Sequence, residues 1–125
     1  MPTALVVDDE FGIVDVLETV LTEEGYRVLT ACNGKQGLAR LAEEKPEVIL
    51  LDFMMPILSG GDMLRAMASE PAYQRIPVVM ISSLREDVIA QRCIGYAAFL
   101  HKPFRVAAVL STVARVLGAG SSDAV

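Results

Sequence analysis

At 125 residues, with 53% hydrophobic residues, 6% aromatics and no Trp, the chain carries enough aliphatic side chains for one core of ordinary domain size, which excludes a disordered polypeptide. A net charge of −5 excludes a general nucleic-acid binder, whose affinity would need a basic stripe. No basic leader precedes an apolar stretch and no run approaches ~18 consecutive apolar residues, so neither export nor membrane insertion is expected.

Ala4-Leu5-Val6-Val7 is predicted as a short buried strand that stops at Asp8-Asp9-Glu10. From Phe11 to Glu24, Ile13, Val14, Leu17, Val20 and Leu21 recur at helical spacing, and Gly25 stands where a left-handed residue ends a helix. Tyr26 to Ala31 resumes as a strand whose Arg27 and Thr30 suit a sheet edge. Asn33-Gly34 makes a turn, and Lys35 to Lys45 carries Leu38, Leu41 and Ala42 on one helix face before Pro46. Val48-Ile49-Leu50-Leu51 has no polar alternation, the pattern of a strand covered on both faces, and it ends on Asp52.

A loop through Met54-Met55-Pro56 and Ser59-Gly60-Gly61 leads to a helix with Met63, Leu64 and Met67, closed by Pro71. Val78-Val79-Met80-Ile81 is a further apolar run, ending on Ser82-Ser83. A weak helix is predicted over roughly Glu86 to Ile94, and Ala97-Ala98-Phe99-Leu100 then leads to His101-Lys102-Pro103. Val106, Val109, Leu110, Val113 and Leu117 build an amphipathic last helix. The domain is expected over residues 1–117, with 118–125 a flexible tail or the start of a linker. Five strands alternating with five helices imply a doubly wound α/β domain, its sheet parallel and its crossovers right-handed. Cys32 and Cys93 lack both metal-ligand spacing and a disulfide framework, so reduced thiols in a cytoplasmic protein are expected.

The polar residues fall in one place. Asp8 and Asp9, Asp52, Ser82 and Lys102 each follow an apolar run directly or within two residues of its end, and in a parallel sheet those ends share one edge. Carboxylates gathered there repel by several kcal/mol at an intermediate dielectric and need a counter-charge. Mg²⁺ supplies it, taking one or two carboxylates and leaving room for a phosphoryl oxygen, while Lys102 adds a mobile point charge and Ser82 a donor hydroxyl. Metal, ammonium and hydroxyl together complement the equatorial oxygens of a phosphoryl group in transfer. Asp52, on the central strand, is the expected nucleophile, with Asp8 and Asp9 on the metal.

Val7-Asp8-Asp9-Glu10, Asp52-Phe53-Met54-Met55-Pro56 with Gly60, Ser82, and Lys102-Pro103-Phe104 occur in this order, and on them the chain resembles the response-regulator receiver domains of bacterial two-component systems over about residues 3 to 117. The resemblance implies a flavodoxin-like fold with strand order 2-1-3-4-5. It implies phosphorylation of Asp52 by a histidine kinase or phosphotransfer protein, Mg²⁺ on Asp9, Asp52 and the Met54 carbonyl with Asp8 acting through water, and a cis Lys102-Pro103 peptide. It implies a switch in which Ser82 couples to Phe99, reshaping a face of fourth helix, fifth strand and fifth helix that meets a downstream protein or output domain, or a second copy in a homodimer. Such a module is a signalling protein whose only chemistry is gaining and losing its own phosphoryl group; the alternative is a pseudo-receiver that binds partners without phosphate.

The span from Ser82 to Lys102 is shorter than is usual in that family, which bears on the fourth helix and the output face. Met54 and Leu84, apolar at positions that tune hydrolysis in the family, are expected to shield an acyl phosphate from water. Taken singly, Asp8-Asp9 reads as a helix cap, Ser82 as a turn residue, Lys102 as a solvated charge and Phe99 as core. His101 is expected at the surface. The Met residues at 54, 55, 63, 67 and 80 are expected to fill the core.

Overall fold

The apolar runs become a single parallel sheet. β1 (Thr3–Val7), β2 (Arg27–Ala31), β3 (Val48–Asp52), β4 (Val78–Ser82) and β5 (Ala98–His101) lie in the order β2-β1-β3-β4-β5, with β2 and β5 at the edges, in the computed structural model, which describes residues 1–123. The helices between them are α1 (Phe11–Glu23), α2 (Gly34–Glu43), α3 (Gly60–Ala68), α4 (Glu86–Arg92) and α5 (Val106–Asp123). This is the flavodoxin-like order expected from the sequence.

Because successive strand residues point to opposite faces, each apolar run feeds two cores. Leu5, Val7, Ile49, Leu51, Val78 and Met80 pack on one face with Met63, Met67 and Ile89 from α3 and α4. Ala4, Val6, Leu50, Val79 and Ile81 pack on the other with Leu17, Leu21, Val109 and Val113 from α1 and α5. Burial on both faces is why β1, β3 and β4 carry no polar alternation.

Element ends differ from the sequence expectation by a residue or two, in ways that capping explains. Asn33 caps α2, its side chain accepting from the Gln36 amide at 2.8 Å, and Ser59 caps α3 by accepting from the Asp62 amide at 3.1 Å. α2 accordingly starts at Gly34 and stops at Glu43, short of Lys45. Gly25 takes a φ of 94°, the left-handed stop after α1, whereas α4 ends in extended backbone at Cys93 and Gly95, at φ 97°, turns the chain beyond it. α4 is short, ending at Arg92 where Ile94 was expected. α5, in contrast, runs past Leu117 to Asp123, so residues 118–123 are helical where a tail was expected; Ala124 and Val125 lie outside the described residues.

The β3–α3 connection is held by close backbone approach. The Gly60 amide donates to the Phe53 carbonyl at 2.9 Å, and a Cβ on Gly60 would come within 2.3 Å of the Asp52 carbonyl oxygen. Gly60→Ala should therefore destabilise the fold by about 2–4 kcal/mol, because backbone rather than a flexible side chain would have to move. Gly118→Ala, on an exposed helical position with open space around it, should stabilise by about 0.5–1 kcal/mol. Urea unfolding of both variants checks the pair.

Candidate functional site

The strand ends that β1, β3, β4 and β5 bring together lie on the edge where open α/β sheets bind ligands. Asp8 follows β1, and its amide still donates to the Ala31 carbonyl of β2 at 3.1 Å. Asp52 is the last residue of β3, in register with Ile81, whose carbonyl accepts from the Phe53 amide at 2.9 Å. Ser82 ends β4, and its carbonyl accepts from the Lys102 amide at 2.8 Å. The Lys102-Pro103 peptide is cis, as expected. Backbone ladder bonds thus set the spacing of carboxylate, hydroxyl and ammonium.

Lys102 Nζ lies 2.8 Å from Glu10 Oε1, 3.0 Å from Asp8 Oδ2 and 3.6 Å from Asp52 Oδ1. Asp8 is 1% and Asp52 4% exposed, whereas the Glu10 side chain is 61% exposed. Burial, followed by the Asp8 charge, pushes the Asp52 carboxyl up to about 7 against the pull of Lys102; Asp9 adds to the push. Burial opposes the Lys102 charge, but the Glu10 hydrogen bond, Asp8 and Asp52 outweigh it and hold the ammonium above its ordinary range. Like charges here are undercompensated by a single ammonium.

Ser82 Oγ accepts from the Leu84 amide at 3.0 Å, so its local role as a turn residue is real, and its own proton remains available to donate. Asp8 Oδ1 accepts from the Glu10 amide at 2.9 Å in the same manner, while Asp8 Oδ2 is buried without a hydrogen bond despite the nearby ammonium. Asp8, Glu10 and Asp52 each present an oxygen, all within 4.8 Å of one another. A buried oxygen with no hydrogen bond, facing two further carboxylates, is a donor set that suits a hard divalent cation such as Mg²⁺.

The structure brings Asp8, Asp52, Ser82 and Lys102 into one place and sets two others apart from the placement expected of them. Asp9, expected among the metal-binding acids, is exposed beside Phe53, Met54 and Ser59, close enough for its charge to push on Asp52 but outside the tightest set of acids, which Glu10 joins. The signal for Glu10 was present in the acidic run itself, since Asp8 turns the chain so that the residue two further on faces back across the mouth. Met54, expected in the core, is 57% exposed at the rim of a cavity of about 550 Å³ over Asp52, also lined by Ile13, Val16, Ser83 and Phe104. Met63, Met67 and Met80 are core, as expected. Phe99 is half-buried on β5, paired with Met80 on the face that Ser82 also shares, and its ring is 6.4 Å from that of the exposed His101.

The response regulator receiver domain family matches residues 4–114. The response regulator PleD of Caulobacter vibrioides is 44% identical over 101 residues, which is 79% of this chain and 22% of PleD, so the chain spans less than a quarter of that relative's length. Among solved structures, the signal receiver domain of a signal transduction histidine kinase from Syntrophus aciditrophicus superposes with a TM-score of 0.88 at 27% identity, covering 95% of this chain and 92% of that one. The receiver domain of the sensor histidine kinase PA1611 from Pseudomonas aeruginosa, which has a magnesium ion coordinated in its active-site cleft, superposes with a TM-score of 0.84 at 26% identity, covering 94% of this chain and 98% of that one. No described helix is long and apolar enough to cross a membrane. Sequence match across nearly all of the sheet, and the same fold in full-length superposition, make this chain a member of the response regulator receiver domain family.

Proposed function

We propose that this domain is a phosphorylation-driven switch in which Asp52 accepts a phosphoryl group from a phosphohistidine on a histidine kinase or phosphotransfer protein. The observation that carries it is the convergence of Lys102 with Asp52 and Asp8, 3.6 and 3.0 Å away, beneath an open cavity. An Asp52 carboxylate oxygen attacks phosphorus, the phosphorus–nitrogen bond of the donor breaks, and its electron pair returns to the imidazole nitrogen, which takes a proton. Lys102 and the Ser82 hydroxyl bind the oxygens of the transferred group. Hydrolysis reverses the gain, water attacking phosphorus to release inorganic phosphate and restore the carboxylate.

Asp8 and Asp52 would hold Mg²⁺, with Asp9 adding charge at the rim and the Met54 carbonyl expected from the family resemblance. When bound, the metal supplies positive charge to the phosphoryl oxygens and lets both carboxylates stay ionised. The apolar rim of Ile13, Val16, Met54 and Phe104 suits a partner surface that must exclude water during transfer. Converting a mostly inactive to a mostly active population takes about 5 kcal/mol of differential stabilisation, within reach of a few charge-assisted hydrogen bonds to the new phosphoryl group. Phe99, two residues along the shared face from Ser82's position on the neighbouring strand, is the proposed receiver of that movement on the side of α4, β5 and α5. That face would engage a downstream protein or output domain, or a second copy of the chain.

Incubation with acetyl phosphate and Mg²⁺ should label the wild type at Asp52, and Asp52→Asn should abolish the label by intact mass. Lys102→Ala should still take up phosphate yet leave the Phe99 ring resonances at their unphosphorylated positions. Because protonation of Asp52 competes with metal and its carboxyl is raised to about 7, Mg²⁺ affinity should rise about tenfold from pH 6 to pH 8, and Asp52→Asn should remove this dependence in calorimetric titrations. With apolar Met54 at the cavity rim, the phosphoryl group should persist for minutes or longer, and Met54→Asn should shorten its lifetime in a purified-protein decay assay. Leu84 packs against the core cluster and is not among the residues lining that cavity, so the shielding rests on Met54.

A further inference from the structure

Glu10 stands at the N-cap of α1, yet its side chain makes no capping hydrogen bond. Its carboxylate reaches instead across the mouth of the site to Lys102, 92 positions away in sequence, and takes the shortest of that ammonium's contacts, 2.8 Å against 3.0 Å to Asp8 and 3.6 Å to Asp52. Of these three acids it alone is largely in solvent, with a side chain 61% exposed. Its backbone is fixed by the bond from its amide to Asp8 Oδ1, so the carboxylate swings from an anchored base.

We infer that Glu10 is a positioning residue for Lys102, holding the ammonium away from Asp52 in the resting protein and giving it up when a phosphoryl group competes for it. The inference rests on the phosphoryl-transfer reading above. An ammonium responds to the sum of the charges around it. In the resting site the Glu10 carboxylate holds the ammonium at 2.8 Å while Asp52 stands back at 3.6 Å. A phosphoryl group on Asp52 replaces the single carboxylate charge with nearly two negative charges, carried on oxygens that reach further into the mouth, and reverses that order. An ion pair whose acid is largely in solvent, though its ammonium is only 13% exposed, yields more readily than a fully buried pair would. The Glu10 contact thereby lowers the share of Lys102 available to an incoming phosphodonor, and relaxing it should speed transfer.

The test uses the whole chain with Glu10→Gln, which preserves side-chain length and removes the charge. In a crystal structure of the unphosphorylated variant, Lys102 Nζ should close on Asp52 to hydrogen-bonding distance; an ammonium still about 3.6 Å from Asp52 would overturn the inference whether or not the protein is phosphorylated. With acetyl phosphate and saturating Mg²⁺, Glu10→Gln should label Asp52 about three- to tenfold faster than wild type, and should change the rate less than twofold when added to Lys102→Ala. An equal acceleration in both backgrounds would mean that Glu10 merely repels the anionic donor, and an unchanged rate with Lys102 present would mean that it does not restrain the ammonium; either result removes the proposed role. Wild type that takes no label while Lys102 closes on Asp52 in the variant would overturn the phosphoryl-transfer reading, and with it the release step, and would support only the resting restraint of Lys102 by Glu10.

Discussion

Lys102 is asked to neutralise more negative charge than one ammonium can. Asp8 and Asp52 are almost wholly buried, Glu10 and Asp9 crowd the same mouth, and the Asp52 carboxyl responds by rising to about 7, so its raised value favours the fold at low pH and that contribution fades as pH climbs from the ordinary carboxylate range through 7. Removing one member of a buried charged set leaves the others uncompensated, which is why such clusters are costly to keep and costly to disturb. Asp8 Oδ2, buried with only the shared Lys102 ammonium 3.0 Å away, is the local mark of that imbalance. A site with surplus negative charge and a mobile cation is poised for a ligand that brings positive charge and another that attracts the lysine.

Everything else in the structure serves to hold these groups against their repulsion. The two cores press the sheet from both sides, so the strand ends cannot splay. Gly60 allows the backbone of α3 to pass against the Asp52 carbonyl, where any side chain would force β3 to shift. Ile57, a β-branched residue at φ 72°, lies in the same loop and marks how tightly the chain is turned between β3 and α3.

Much of this was legible in the residues. Unalternating runs such as Val48–Leu51 and Val78–Ile81 identified strands buried on two faces, and polar residues directly after them located one edge, because a parallel sheet leaves few other places for them to go. The fold order and the cis Lys102-Pro103 peptide came from resemblance rather than from periodicity. What escaped was orientation within the acidic run: composition cannot say which of Asp8, Asp9 and Glu10 faces inward, since that is decided by the Asx-type turn from Asp8 to the Glu10 amide. Met54 escaped for a related reason, as an apolar residue just beyond a strand can fill the core or line a mouth with the same sequence signature. The extent of α5 was missed because Gly118 suggested a stop, whereas a glycine in open space tolerates helix at a modest entropic cost.

The bonds from Phe53 N to Ile81 O and from Lys102 N to Ser82 O have a further consequence. They make β4 a common ruler, against which the Asp52 carboxylate on one side and the Lys102 ammonium on the other are both measured. Lengthening or trimming a crossover helix leaves that ruler unchanged, so the brief α4 alters the outer surface without recalibrating the chemistry. The strand-end edge and the helical surface are in this way separable parts of the chain, and the helices can diverge while that edge keeps its dimensions.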